Sequence, residues 1–482
     1  MRQYKRKANA FPFSVRQYSG QRVRSRKLRY NVGCKSGDFM DLTTGNVQQK
    51  LARFAGPVII FALFNQLYVI ADSVIVARFA GEQALSVIAS TAAVISVANC
   101  LINGAAAGCH ILIGRAAGEK NEEKIRDTWK TICLLGIGFS VILGGIYFIF
   151  AGQILSLVHL PSLLMRDCIF LTRMYALSMI PQILACIVMG VINGMGDSKS
   201  PLYFGVSCQI LNIILDYIVV ALFHMGAPGA AGASIFSLCM SLLLGLHVLR
   251  KRLYGNGQPK GCWQSAIAVS YLRLALPSMF QQSVMSVGSL FLQNLVNLQG
   301  IEAINGYTIA VNINNFLIMP VIGYTEAYET FASQNLGAEN PGRVKEGFAA
   351  MFLQAGICCI LLSLFSYFGK DLLVSLYLSD PSSFGYRFAG SYLVLLIPNF
   401  FLLMFKYGLD AVYKADLKVH LFTLTSVISL AVRIAVSYLF VSRYGLITLA
   451  YATLIGNAAA ILVSLYIALK EGYARALFAE AK

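Results

Sequence analysis

Apolar residues in this chain run in blocks of about 20 to 28 positions without a charge, Thr131 to Val158 being one. Roughly 20 such residues suffice to cross the hydrocarbon core of a bilayer as a helix. Twelve spans can be read, at roughly 54–77, 84–113, 131–151, 168–193, 202–223, 230–249, 272–298, 303–331, 348–368, 388–413, 420–441 and 446–469. The connections between them are short, so no room remains after residue 40 for a separate globular domain. The pattern predicts an all-α polytopic membrane protein with twelve transmembrane helices.

Composition sharpens this. The 482 residues are 57% apolar and 13% charged, with a mean hydropathy of +0.66, whereas soluble domains carry about 25% charged residues. A soluble enzyme is thereby excluded. The net charge of +17 is concentrated at the start, because residues 1–39 hold eleven Lys/Arg and one Asp. That stretch has no apolar core before Met40, so it is not a signal peptide. It reads as a basic N-terminal extension, disordered or not translated, with Met40-Asp41-Leu42-Thr43 as the real start and polar lead-in to the first span. A basic arm for anionic lipid or nucleic acid is the competing reading, and no nucleic-acid partner is expected. Eleven cysteines lie mostly inside spans and form no CxxC pair, so they read as small apolar residues rather than zinc ligands or disulfides.

Lys and Arg accumulate in connections on the cytoplasmic side. With both termini inside, the inner connections carry fourteen of them and the outer ones five, namely Arg78, Arg166, Lys370, Arg387 and Arg443. A missed or extra span would scramble that asymmetry. The expected setting is the plasma membrane, multi-pass, with both termini cytoplasmic.

The chain also repeats itself. A shift of 219 aligns Gly81 with Gly300, Gly104 with Gly323, Gly118 with Gly337, Asn121 with Asn340 and Lys124 with Arg343, while 220 aligns Pro57 with Pro277. Near Pro181 and Pro398 the offset is 217. Two pseudo-symmetric six-helix bundles follow, at 40–255 and 270–482, joined by a cytoplasmic linker at 256–269. Such halves can rock about a central cavity and expose one site to each side in turn. Pro57 and Pro277 are expected to start their helices, and Pro320 to form a kink.

Ionisable residues inside spans are costly, about 2.5–3.5 kcal/mol at the bilayer centre, and mark cavities or function. Here they are Asp72, Asp216, Glu326, Glu329, Asp410, Arg173, Lys406 and Arg433. Asn212 lies one turn before Asp216 and sets an amide beside a carboxylate, a pair of oxygens suited to Na⁺ or, if the acid is protonated, to H⁺. Asp72 has Asn65 and Gln66 on the preceding turns. Asp410 follows Lys406 by four and reads as an intrahelical pair. At the 217 offset Asp216 corresponds to Arg433, so the first half carries the acidic candidate. Cavity candidates are Asn65, Gln66, Tyr68 and Tyr217, the two rings suited to an organic cation, with Gln281, Gln282, Asn312 and Glu326. The five histidines show no metal-ligand spacing.

These segments resemble one family. Ser333-Gln334-Asn335-Leu336-Gly337-Ala338 is similar to the Q-N-x-G-A loop of multidrug and toxic compound extrusion (MATE) transporters. Ala71-Asp72-Ser73-Val74, Gly196-Asp197-Ser198-Lys199-Ser200-Pro201, Asn212-Ile213-Ile214-Leu215-Asp216 and Gly229-Ala230-Ala231-Gly232-Ala233-Ser234 agree in order and spacing. The resemblance implies a two-lobed carrier that expels small organic, often cationic, compounds in exchange for Na⁺ or H⁺, with the coupling cation on Asp72, Asn212, Asp216 and Ser234. Ser234 stands where Thr is usual and keeps the hydroxyl. Gln281 and Gln282 stand where some members have an acid. No cofactor beyond the coupling ion and no second subunit is expected. The alternative is a lipid-linked oligosaccharide flippase of the wider superfamily, disfavoured by twelve spans and acidic central charges. An enzyme would need a nucleophile–base or metal set, which the sequence lacks.

Overall fold

The computed structural model describes residues 40–79, 81–156, 162–255, 259, 261–378 and 380–473. The basic extension 1–39 and part of the linker lie outside them. The helices run in the expected order. The first six spans are Val47–Phe79, Gly81–Ala106 continued by Cys109–Gly118, Glu122–Ile149, Ser162–Gly194, Lys199–Asp216 with a π turn at Tyr217–Leu222, and Gly226–Tyr254. The second six are Ser265–Asn297, Ile301–Gly337, Pro341–Ser375, Phe384–Leu395 continued by Ile397–Ala415, Val419–Tyr444 and Thr448–Lys470. Among the described residues ten helices are long and apolar enough to cross a membrane, and the bent tenth span makes eleven. The seventh, Ser265–Asn297, is the twelfth; it is long enough at 33 residues but polar at Arg273, Gln281, Gln282, Gln293 and Asn294.

The second span carries a break at 107–108, and one expectation is corrected. Pro57 and Pro277 do not start their helices, which begin ten or more residues earlier and carry the prolines inside. The helix through Pro320 is uninterrupted, and a break with a 45° bend falls in the tenth span at Leu396, just before Pro398. A proline lacks the N–H that would carry the helix past it, and here the second segment begins with Pro398 in its first turn.

Each half is a bundle whose first helix leans on the other half. Leu42, Leu51 and Phe54 are buried in the same apolar core as Tyr328, Phe331 and Tyr392, while Tyr271 and Ala275 join Ile187 and Val188. The first span therefore packs on the eighth, and the seventh on the second. Glycine permits this: a Cβ on Gly104 would lie 2.4 Å from the Met279 backbone, and one on its repeat mate Gly323 would lie 2.7 Å from Ile59. Small residues let membrane helices approach this closely.

The second and eighth spans cross each other beside the pseudo-two-fold axis, so positions 219 apart meet. His110 touches Glu329, Gly114 faces Ser333, and Gly118 and Gly337 interlock: their Cβ atoms would sit 1.9 Å from the Gln334 carbonyl and 2.1 Å from the Arg115 carbonyl. Hydrogen bonds between the halves gather on the face that carries the basic loops. Arg115 donates to the Ala415 carbonyl at 2.9 and 2.6 Å, and Gln334 to the Gly194 carbonyl at 2.9 Å. Residues 40–46 form a strap across that seam. The Met40 amide donates to Gly196, Leu42 is fully buried, and Arg343 donates to the carbonyls of Leu42, Thr44 and Gly45. The halves are thus latched at the basic face.

Candidate functional site

The fifth span places the central acid. Lys199–Asp216 is a regular helix that ends at Asp216, and the next six residues form a π turn, an irregularity often found at functional positions. Asp216 is fully buried and Asn212, one turn earlier, is 2% exposed. From the first span the Asp72 carboxyl stands beside that of Asp216, within electrostatic reach of it. Tyr68 and Tyr175 stand within electrostatic reach of both acids, and the Ser234 hydroxyl of the sixth span lies beside the Tyr68 hydroxyl. The structure thus brings Asp72, Asn212, Asp216, Ser234 and Tyr68 into one pocket inside the first lobe. Tyr175, from the fourth span, completes it.

The pocket is unsatisfied. One oxygen of Asp72, both of Asp216 and both polar atoms of the Asn212 amide are buried without a hydrogen-bond partner among the described residues. A buried polar group left unpaired costs about 1–3 kcal/mol, and a charged one more. Two adjacent carboxylates repel unless a proton or a cation sits between them. The oxygens of Asp72, Asp216, Asn212 and Ser234 form a donor set suited to a hard monovalent cation. Among the described residues no group of three or more His, Cys, Asp or Glu is arranged for a metal ion.

The remaining candidates scatter. Asn65 is exposed and accepts from Gln209 at 3.0 Å. Gln66 is half-buried; Tyr217 is 48% exposed and packs edge-on against Phe79. Gln281 is buried, Gln282 half-buried, and Asn312 and Glu326 exposed. Lys406 and Asp410 do pair within their helix, at 2.7 Å.

A second ionic cluster was not foreseen. Glu329 is 3% exposed and holds His110 of the second span at 3.0 Å and Lys414 of the tenth at 3.2 Å, with Glu326 in electrostatic reach of both cations. The signal was present, since His110 and Glu329 are 219 apart, the repeat offset.

The sequence profile of the MatE family matches residues 57–218 and 277–439, once in each half. The chain belongs to the MatE family. It is a membrane transporter rather than an enzyme. This MatE chain is 24% identical over 351 residues to the probable multidrug resistance protein YoeA of Bacillus subtilis, covering 70% of this chain and 75% of that one. It is 24% identical to the multidrug and toxin extrusion protein 2 of Mus musculus, over 74% and 62% of the two chains. Among solved structures, a MATE transporter bound to MaD3S superposes with a TM-score of 0.82 at 19% identity, covering 90% of the MatE chain and 98% of its own. A MOP-superfamily transporter from Pyrococcus furiosus, described as having a binding pocket of reverse polarity, gives 0.80 at 19%, covering 89% and 97%.

Proposed function

We propose that this MatE protein is a cation-coupled secondary antiporter that exports small organic, often cationic, compounds by alternating access, with Na⁺ or H⁺ as the coupling ion. The observation that carries the reading is the unsatisfied pocket of Asp72, Asn212 and Asp216. An entering cation or proton neutralises the adjacent carboxylates and lets the first and fifth spans draw together. That closure then remodels the inter-lobe cavity and releases substrate. The relatives named for multidrug resistance and extrusion support an organic substrate, and favour it over a lipid-linked oligosaccharide. The basic face and both termini would lie on the cytoplasmic side of the plasma membrane, and a single chain would suffice without a cofactor.

The test is efflux of a fluorescent organic cation from vesicles holding the purified protein, with Na⁺ and pH gradients imposed separately. Efflux driven by one gradient and lost in Asp216→Asn is expected. A broad panel of cations moved by neither gradient, with the variant matching wild type, would overturn the proposal.

A further inference from the structure

The same position in the two lobes carries opposite charge. At the 217 offset Asn212 and Asp216 of the fifth span correspond to Ser429 and Arg433 of the eleventh, and Tyr175 corresponds to Tyr392. Arg433 lies near the middle of Val419–Tyr444, where a guanidinium facing hydrocarbon is costly. It turns instead toward its own lobe. Its backbone packs against Gly456, and its charge is felt at the Tyr392 hydroxyl, beside Tyr307. Both tyrosines are at least 93% buried. Among the described residues no carboxylate pairs with Arg433, and its buried Nε has no acceptor. One turn on, Ser437 is fully buried and its hydroxyl is also without a partner; positions i and i+4 share a helix face. Where the fifth span carries a carboxylate without a partner, the eleventh carries a guanidinium nitrogen and a hydroxyl without one.

We infer that the second lobe holds an anion site centred on Arg433 and Ser437, whose ligand is a carboxylate or a small inorganic anion. The ligand is either a free anion from solution or the anionic group of a zwitterionic substrate. Only the latter source rests on the antiporter reading.

Two measurements decide it. In the first, the melting temperature of the purified protein is followed as chloride or acetate replaces gluconate at constant Na⁺ and ionic strength. A saturable rise in wild type and in Arg433→Lys, absent in Arg433→Gln and shifted to higher concentration in Ser437→Ala, identifies a free anion. In the second, vesicles transport a cationic rhodamine ester and its zwitterionic free acid. A fall of about tenfold or more in the acid-to-ester ratio in Arg433→Gln, the worth of one charge-assisted hydrogen bond, identifies the substrate's own carboxylate. Should Arg433→Gln not fold, Ser437→Ala serves in both. If anions stabilise no form of the protein and the ratio is the same in all of them, the site does not exist. If neither dye moves, the anion titration alone settles this inference, and the broad cation panel decides the antiporter reading.

Discussion

The interlocked glycines of the second and eighth spans give the sharpest test of how the halves are latched. In Gly118→Ala the new methyl would lie 1.9 Å from the Gln334 carbonyl and 3.0 Å from the Ala338 amide nitrogen. Both are backbone atoms and cannot swing aside as a side chain would, so the helices must separate by on the order of 1 Å. Overpacking of this kind costs about 1–3 kcal/mol. The cost falls on the arrangement closed at the basic face and vanishes once the halves part there. The closed-to-open ratio should therefore drop by roughly 5- to 150-fold. Spin labels at Lys124→Cys and Lys345→Cys in a cysteine-free background, read as a distance distribution, would show a long-distance population appear. Gly337→Ala should do the same, because its methyl would meet the Arg115 carbonyl at 2.1 Å. The double variant should cost less than the sum, since helices already forced apart leave room for the second methyl. Gly138→Ala and Gly356→Ala, with nothing within 4 Å of the added carbon, are the controls. If the Gly118→Ala distribution matches that of the controls, the crossing does not hold the closed face together.

Three further outcomes follow from the same packing. Asp216→Asn removes one of two adjacent carboxylates, so it should raise the protein's thermal stability by about 1 kcal/mol or more while abolishing gradient-driven efflux; a loss of stability would show that the acids do not repel in the resting state. Glu329→Gln strips the carboxylate from Lys414 and His110, and breaking a buried pair this way costs about 3–5 kcal/mol. His110→Asn should cost clearly less because the His110 side chain is 20% exposed, and equal effects in thermal unfolding would contradict that ranking. In the strap, burial alone would raise the Asp41 pKa, but hydrogen bonds from the Thr43 hydroxyl and amide and the charges of Lys120 and Lys50 outweigh it and hold it below 3.8. Its contribution is therefore complete above that value and lost as acid protonates the folded protein below it. Hydrogen exchange at the Thr43 amide, corrected for intrinsic rate, should lose protection at low pH in wild type and show no such pH step in Asp41→Asn.

Much of this molecule can be read from its residues in order. Uncharged apolar blocks, the excess of Lys and Arg on alternate connections and a repeat offset near 219 are one-dimensional properties, and the bilayer turns them directly into twelve spans and two related halves. The acids could be found for the same reason: a carboxylate in an apolar block is expensive, so Asp72 and Asp216 stand out in the residue order itself. Asn212 follows from helical spacing alone.

What the order of residues left open depends on which helix lies beside which. Periodicity reports one helix's faces and says nothing of its neighbour, so the meeting of Asp72 with Asp216 and Tyr175 was decided only by packing. The break just before Pro398 was decided the same way, because whether a helix runs past a proline depends on what packs against it. The aligned pairs Gly104 with Gly323 and Gly118 with Gly337 were visible as a repeat, but their purpose was not. Only the packing shows why: Gly104 and Gly323 admit Met279 and Ile59, while Gly118 and Gly337 stand where the second and eighth spans cross beside the axis and leave no room for a side chain. His110 and Glu329 touch because they are mates at that crossing.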